Sequence, residues 1–348
     1  MRGRYAVLTA IALAGALVAP ANAVSTHVTT LSPGVLSAGA KVFFRPGVGH
    51  AAPTTRTGKA NAGTQQLVYG GGTAGHGVQL HPAVYLVFWG SQWSKTDPYA
   101  DYERRFFKGL YGRGDDWTRI EREYCQTTAK GAVDCPRNVT HIGLPTSGGV
   151  LKGVWFDDAQ TAVPDDTPVG GPAMDSVQME AVRAAAHFGN VTAASNVNAQ
   201  YIINEPSHFD SPGYGLYCAY HSYVQSSSYG PVIYTDMPYV TDLDTGGVRG
   251  DGTGLSCGQN MVNKGAAGKY DGVTLAVGHE FVESMTDPYP SSGWVDQSGQ
   301  ETGDKCAYRT SGPGAMSDLH LSTGTFAVQG MWSNLASNGN GNCITHER

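Results

Sequence analysis

The chain is short of charge, short of basic residues and, beyond its first two dozen residues, without any long apolar run. Charged residues make up 15% of its 348 positions and the net charge is −6, with an isoelectric point near 6.0. That balance excludes the basic patches needed by nucleic acid or an anionic membrane surface. After residue 23 no stretch approaches the 18 apolar residues of a membrane-spanning helix. There is no C-x-x-C pair, so the six cysteines do not read as a thiolate zinc site. No G-x-S-x-G elbow and no phosphate-binding loop is present. A paired-carboxylate glycosidase is not singled out by any spacing, although Glu205, Glu280 and Glu283 are available to one. Internal repeats and heptads are absent too.

What is present begins with an address. Arg2 and Arg4 precede an uncharged run over 5–20, and Ala21-Asn22-Ala23 supplies a small-x-small cleavage pattern. Residues 1–23 therefore read as a secretory signal, which predicts a secreted, extracellular protein with no membrane attachment after cleavage. Cysteines in a secreted chain predict disulfides. Of the 15 possible pairings, short loops favour the sequential set: Cys125–Cys135, Cys218–Cys257 and Cys306–Cys343.

Residues 24–77 are small, polar and rich in Gly, Ala and Thr, ending in Gly70-Gly71-Gly72. Such a segment buries too little to order itself and reads as a flexible arm or a propeptide. A single catalytic-like domain, monomeric, is expected over 78–348. Its strands are predicted at 84–89, 150–156, 201–203, 217–224, 232–237 and 325–332. Helices are predicted after the Asp97-Pro98 cap, over 117–124, over 174–188 and over 271–286, the last with Asp271 as its cap. Alternating strands and helices favour an α/β or α+β fold.

The most informative stretch is His279-Glu280-Phe281-Val282-Glu283. Residues four apart share a helix face, so His279 and Glu283 can point at one spot, with Glu280 at its rim. This is H-E-x-x-E where the better-known zinc proteases carry H-E-x-x-H. With 11 histidines in the chain, chance produces the pattern roughly 0.007 times. Val273, Ala276, Val277, Val282 and Met285 place the motif on a buried helix, where an imidazole and two carboxylates are costly without pairing or a metal. Gly278 leaves room for a close approach by another segment or a substrate.

A zinc site needs a third protein ligand. Asp304 is the first candidate, because it follows a glycine and precedes Cys306, whose loop closure contributes about 4 kcal/mol in the chain-entropy model. Glu301 is the second and Asp287 the third. Any of these could instead orient the His279 ring, or serve simply as a turn residue. Two carboxylates and one imidazole would hold zinc, while manganese or calcium also suit so hard a set. Glu280 would then serve as general base. His221, in Cys218-Ala219-Tyr220-His221-Ser222-Tyr223, is a candidate donor to the developing oxyanion; a structural, hydrogen-bonded histidine is the alternative.

Gly278-His279-Glu280-Phe281-Val282-Glu283, Thr286-Asp287-Pro288, Gly293-Trp294, Gly299 and Glu301-Thr302-Gly303-Asp304-Lys305-Cys306 together resemble the phosphate-induced protein / EXORDIUM family and its secreted bacterial relatives. Tyr85-Leu86-Val87-Phe88-Trp89-Gly90, the segment around His221, and Val328-Gln329-Gly330-Met331-Trp332-Ser333-Asn334 with Cys343 fit the same family. The resemblance implies a secreted, cysteine-stapled domain and draws attention to His279, Glu280, Glu283, Asp304 and His221. In plants the family is associated with extracellular, cell-wall growth proteins without a settled catalytic activity.

Two expectations stand side by side. The first is a secreted zinc metallopeptidase with a zincin-like core, a mixed sheet packed on a buried active-site helix. In it His279, Glu283 and Asp304 hold Zn2+, Glu280 and His221 act catalytically, and a polypeptide substrate lies along a sheet edge. The second is a non-catalytic extracellular protein bound to a cell-wall component, in which the same cluster is structural.

Overall fold

The computed structural model describes residues 41–44, 66–126, 128–159, 176–207, 217–244 and 257–347. Its elements run β1 (Lys41–Phe44), β2 (Val68–Tyr69), β3 (Ala83–Trp89), α1 (Pro98–Gly109), a 3-10 turn at Thr118–Glu123, β4 (Leu151–Asp157), α2 (Ser176–His187) and α3 (Ala193–Asn196). They continue with β5 (Ala199–Asn204), β6 (Tyr217–Ser226), β7 (Gly230–Met237), α4 (Val240–Asp244), α5 (Asp271–Thr286) and β8 (Trp294–Val295). A 3-10 turn at Asp304–Cys306 precedes β9 (Ser317–Leu321), β10 (Gly324–Val328), β11 (Met331–Ser333) and β12 (Asn342–Ile344).

A six-stranded mixed sheet forms the centre, in the order β1-β6-β7-β5-β3-β4. β4, β3, β5 and β7 are parallel; β6 runs antiparallel to β7 and β1 antiparallel to β6. Both faces are covered, so β3 reads as an unbroken apolar run instead of an alternation. Val84, Leu86 and Phe88 join the core that contains α1 and α5. Val87 and Trp89 face the other way, onto Val177, Ala181, Ala184 and Ala185 of α2.

Local signals account for the helices. Asp97 caps α1 by accepting the Tyr99 amide at 2.8 Å, with Pro98 in the first turn. Every residue of α5 is buried, the pattern of a helix packed on all sides. Asp271, expected as its cap, lies just inside the helix. Its carboxylate instead accepts the Val262 and Asn263 amides at 3.0 and 2.7 Å, tying down the preceding loop. The three disulfides pair sequentially, as short loops favour. None of the described helices is long and apolar enough to cross a membrane.

Two corrections concern the edges of the domain. Composition places residues 24–77 outside it, yet β1 is a strand of the main sheet and β2 pairs with β8. Leu67 and Tyr69 are core residues. Gly70 belongs to a close contact, because a Cβ there would lie 2.6 Å from the Ser292 carbonyl oxygen. Composition hides these pieces, since four or five apolar residues among glycines carry too little periodicity to register. The signal segment 1–23 and the rest of the arm lie outside the described residues. The strand expected over 325–332 is two strands, β10 and β11, broken at Gly330, which packs directly on Gly314.

Candidate metal centre

The site is assembled from α5, β6 and the loop that ends at Cys306. His279 and Glu283 stack one turn apart on α5, with His279 Nε2 3.0 Å from Glu283 Oε1. The loop brings Asp304 Oδ1 to 3.7 Å from the same nitrogen. Its approach depends on Gly303: a Cβ there would meet His279 Nδ1 at 2.8 Å and Glu283 Oε1 at 2.9 Å. The Asp304 amide donates to Glu283 Oε1 at 2.9 Å, and the Cys306–Cys343 disulfide anchors the segment. His279, Glu283 and Asp304 each offer a ligand atom, all within 4.8 Å of one another. Donors about 2.1 Å from a tetrahedral zinc ion stand about 3.4 Å apart, so the separations of 3.0 and 3.7 Å bracket the value required.

Gln329 orients the His279 ring. Gln329 Nε2 donates to the Gly303 carbonyl at 2.9 Å, which turns its Oε1 toward His279 Nδ1 at 3.3 Å. A proton on Nδ1 satisfies that acceptor and leaves the Nε2 lone pair facing two carboxylates. His279 Nε2 and Glu283 Oε2 make no hydrogen bond of good geometry, although both are fully buried. Burial alone would push the His279 pKa down; the Glu283 and Asp304 charges outweigh it and hold it above the ordinary value. Glu283 shows the converse. Burial acts to raise it, but His279 and His221 draw it below the usual carboxylate range.

Glu280 lies on the neighbouring face. Its Oε2 is 2.9 Å from His221 Nδ1. Burial, then the Glu283 and Asp304 charges, lift its carboxyl well above the usual range, against the pull of the Phe43 and His221 backbone amides. The other His221 nitrogen lies 3.3 Å from the Asp287 carbonyl and 3.6 Å from Glu301 Oε1. The oxyanion donor expected from the sequence thus has protein acceptors at both nitrogens, because β6 sets its ring directly over α5.

Glu301 comes within the cluster, forming a second possible triad with His221 and Glu283. Asp287 does not join through its side chain, which accepts the Ser292 and Gly293 amides at 2.9 and 2.5 Å to fold the turn after α5. A Cβ at Gly278 would meet the Trp117 and Phe106 rings at 3.3 and 3.6 Å, so its close approach is to the core; Gly303 is the glycine beside the site. Glu121, buried behind the cluster, accepts from Thr302 Oγ1 at 3.2 Å. Lys305 follows Asp304 in sequence but is directed to Asp296 at 2.7 Å.

Phe43 of β1 covers the cluster, stacked on His279 with ring centroids 4.0 Å apart and on Tyr308 at 4.7 Å. A cavity of about 950 Å3 elsewhere among the described residues is lined by Arg119, Glu123, His141 and Asn334 and by none of the cluster residues.

Sequence reasoning missed Phe43, Tyr308, Gln329 and Glu121. Gln329 left a trace as a polar residue in an apolar stretch, whereas nothing in 41–44 marks Phe43 as a lid on a histidine. Compared with known proteins, the chain matches no family model, no curated protein and no solved structure.

Proposed function

We propose that the protein is a secreted zinc-dependent hydrolase, a metallopeptidase with a zincin-like core, in which His279, Glu283 and Asp304 hold the ion and Glu280 is the general base. The observation that carries this reading is the convergence of two carboxylates on His279 Nε2. That fully buried imidazole nitrogen lies 3.0 Å from Glu283 Oε1 and 3.7 Å from Asp304 Oδ1 and makes no hydrogen bond of good geometry. Burying an imidazole and carboxylates together is costly, and a divalent cation among their donor atoms would offset that cost. Asp304, with 25% of its side chain exposed, gives the ion a way in.

Zinc bound there would acidify a water molecule and polarise a carbonyl group. The rest of the chemistry belongs to the side chains. Positive charge beside Glu283 would draw the Glu280 carboxyl down toward the range in which it accepts a proton near neutral pH. His221, paired with Glu280 at 2.9 Å, positions that carboxylate. β6, antiparallel to both β7 and the short edge strand β1, would offer backbone groups to an extended polypeptide only where β1 gives way. Three disulfides and the signal pattern at 1–23 support an extracellular setting.

The test pairs metal content with turnover on an unfolded protein substrate. Wild type is expected to retain about one zinc per chain and to hydrolyse the substrate. Glu280→Gln should keep the metal and lose at least about 10²-fold in kcat, and His279→Ala should lose both. A wild type with neither stoichiometric metal nor turnover would sink the proposal.

A second reading is supported by the closed lid of Phe43: a non-catalytic extracellular protein of the EXORDIUM type, engaging a cell-wall component, with the cluster as a structural core. It predicts no metal and no turnover in any variant.

A further inference from the structure

β1 is short, lies at the end of the sheet, and rests on the site. Its four residues pair antiparallel with β6 in the register Lys41↔His221, Val42↔Tyr220 and Phe43↔Ala219, with an irregularity before Phe44↔Tyr217. Without β1, β6 would present an open edge, a row of unpaired backbone groups ready to accept another strand. The Phe43 amide lies against Glu280, and the Phe43 ring lies on His279 and Tyr308. Tyr308 holds a left-handed backbone, φ 53°, a conformation that bulky side chains rarely adopt. Its hydroxyl is fixed 3.2 Å from Cys218 Sγ, at the disulfide that anchors the start of β6. Strain is therefore tolerated where an aromatic platform is presented beside the candidate ligands.

We infer that the edge of β6, with the platform formed by His279 and Tyr308, is a groove for an extended polypeptide bearing an aromatic side chain, and that the chain's own Lys41–Phe44 fills it and keeps the site closed. The main chain of the occupant would add to the sheet as β1 does, and its aromatic ring would supply the specificity. The same segment explains why His279, Glu280 and Glu283 are wholly buried in a molecule proposed to act on polypeptides. Hydrolysis of a bound occupant rests on the metallopeptidase reading; its binding does not.

The experiment uses the full chain and a fluorescein-labelled peptide spanning residues 38–47, with a Phe43→Asp version of that peptide as control. Phe43→Asp protein is expected to bind the labelled peptide at least about tenfold more tightly than wild type, because the tethered segment no longer competes. Phe43→Ala should fall between them. Hydrogen exchange at the Ala219 and His221 amides should accelerate at least about tenfold in Phe43→Asp, while β7 amides stay protected as in wild type. Equal peptide binding by wild type and both variants, or equal binding of the control peptide, would overturn the inference. So would loss of β7 protection in both variants, which would make β1 an integral part of the core. Hydrolysis separates the two proposals. Peptide binding without turnover in zinc-loaded Phe43→Asp upholds the groove and removes the peptidase. Turnover equally fast in wild type and Phe43→Asp retains the peptidase and removes the closure.

Discussion

Two buried acidic clusters flank the central sheet, and they are settled in different ways. On the α2 side, Asp157 and Glu180 share Arg183, which is bonded to Asp157 and lies 3.0 Å from Glu180 Oε2. Burial still lifts the Glu180 carboxyl to about 8 in spite of the guanidinium. On the α5 side, Glu280, Glu283, Glu301 and Asp304 gather around two imidazoles, so carboxylates outnumber the rings that face them. Glu103, a buried acid apart from both clusters, is settled by a proton: burial raises its carboxyl to about 8 against a 3.3 Å hydrogen bond from Asn204. Burial of acids by itself is thus not a mark of function. The distinguishing feature is that His279, Glu283 and Asp304 bring their donor atoms within 4.8 Å of one another.

The two clusters differ most at the candidate ligands. His279→Ala is expected to weaken metal binding by at least about 10²-fold, read by titration against a chelator, because it removes the one neutral donor of the set. Arg183→Met should leave metal binding unchanged but destabilise the fold. Removing one partner of a fully buried ion pair costs about 3–5 kcal/mol. Arg183 is 40% exposed, so solvent screening reduces the expected loss to about 2 kcal/mol in urea unfolding. If Arg183→Met also abolished metal binding, the two clusters would not be independent.

Gly303→Ala should cost about 1–3 kcal/mol, since its new methyl would crowd His279 Nδ1 at 2.8 Å and Glu283 Oε1 at 2.9 Å, and should weaken metal binding with it. The proton-settled acid carries a pH dependence instead. Glu103 has a folded-state pKa of about 8 against 4.5 as its reference, so between these values the native state holds a proton that the unfolded chain has released. Its contribution to stability is therefore complete below about pH 4.5 and falls as pH rises toward 8, with a slope of at most about 1.4 kcal/mol per pH unit. Glu103→Gln should remove that slope, seen by comparing urea midpoints of wild type and variant at about pH 5 and about pH 8.

How much of this was legible in the sequence depends on how local each signal is. The caps and apolar runs of β3, α1 and α5 are written within a dozen residues, and the structure places them where they read. Spacing four apart put His279 and Glu283 on one face, and the glycine before Asp304 pointed to the loop that meets them. What was hidden is the chain's contact with itself over long separations. Phe43 lies far away in sequence from the histidine it covers. The engagement of His221 by Glu280 follows from strand register, which no single segment encodes. Residues 66–77 look like a linker by composition, yet Gly70 and Gly77 serve close contacts with Ser292 and Tyr69.

The most direct test of the central claim is thermal unfolding of the full chain, disulfides intact, with and without zinc, alongside metal analysis of the protein after dialysis. The account predicts one ion per chain. It also predicts a stabilisation approaching about 4 kcal/mol at a thousandfold excess over the dissociation constant, absent in His279→Ala. A wild-type chain that retains no stoichiometric metal, and whose melting is indifferent to zinc, manganese and calcium, would contradict it.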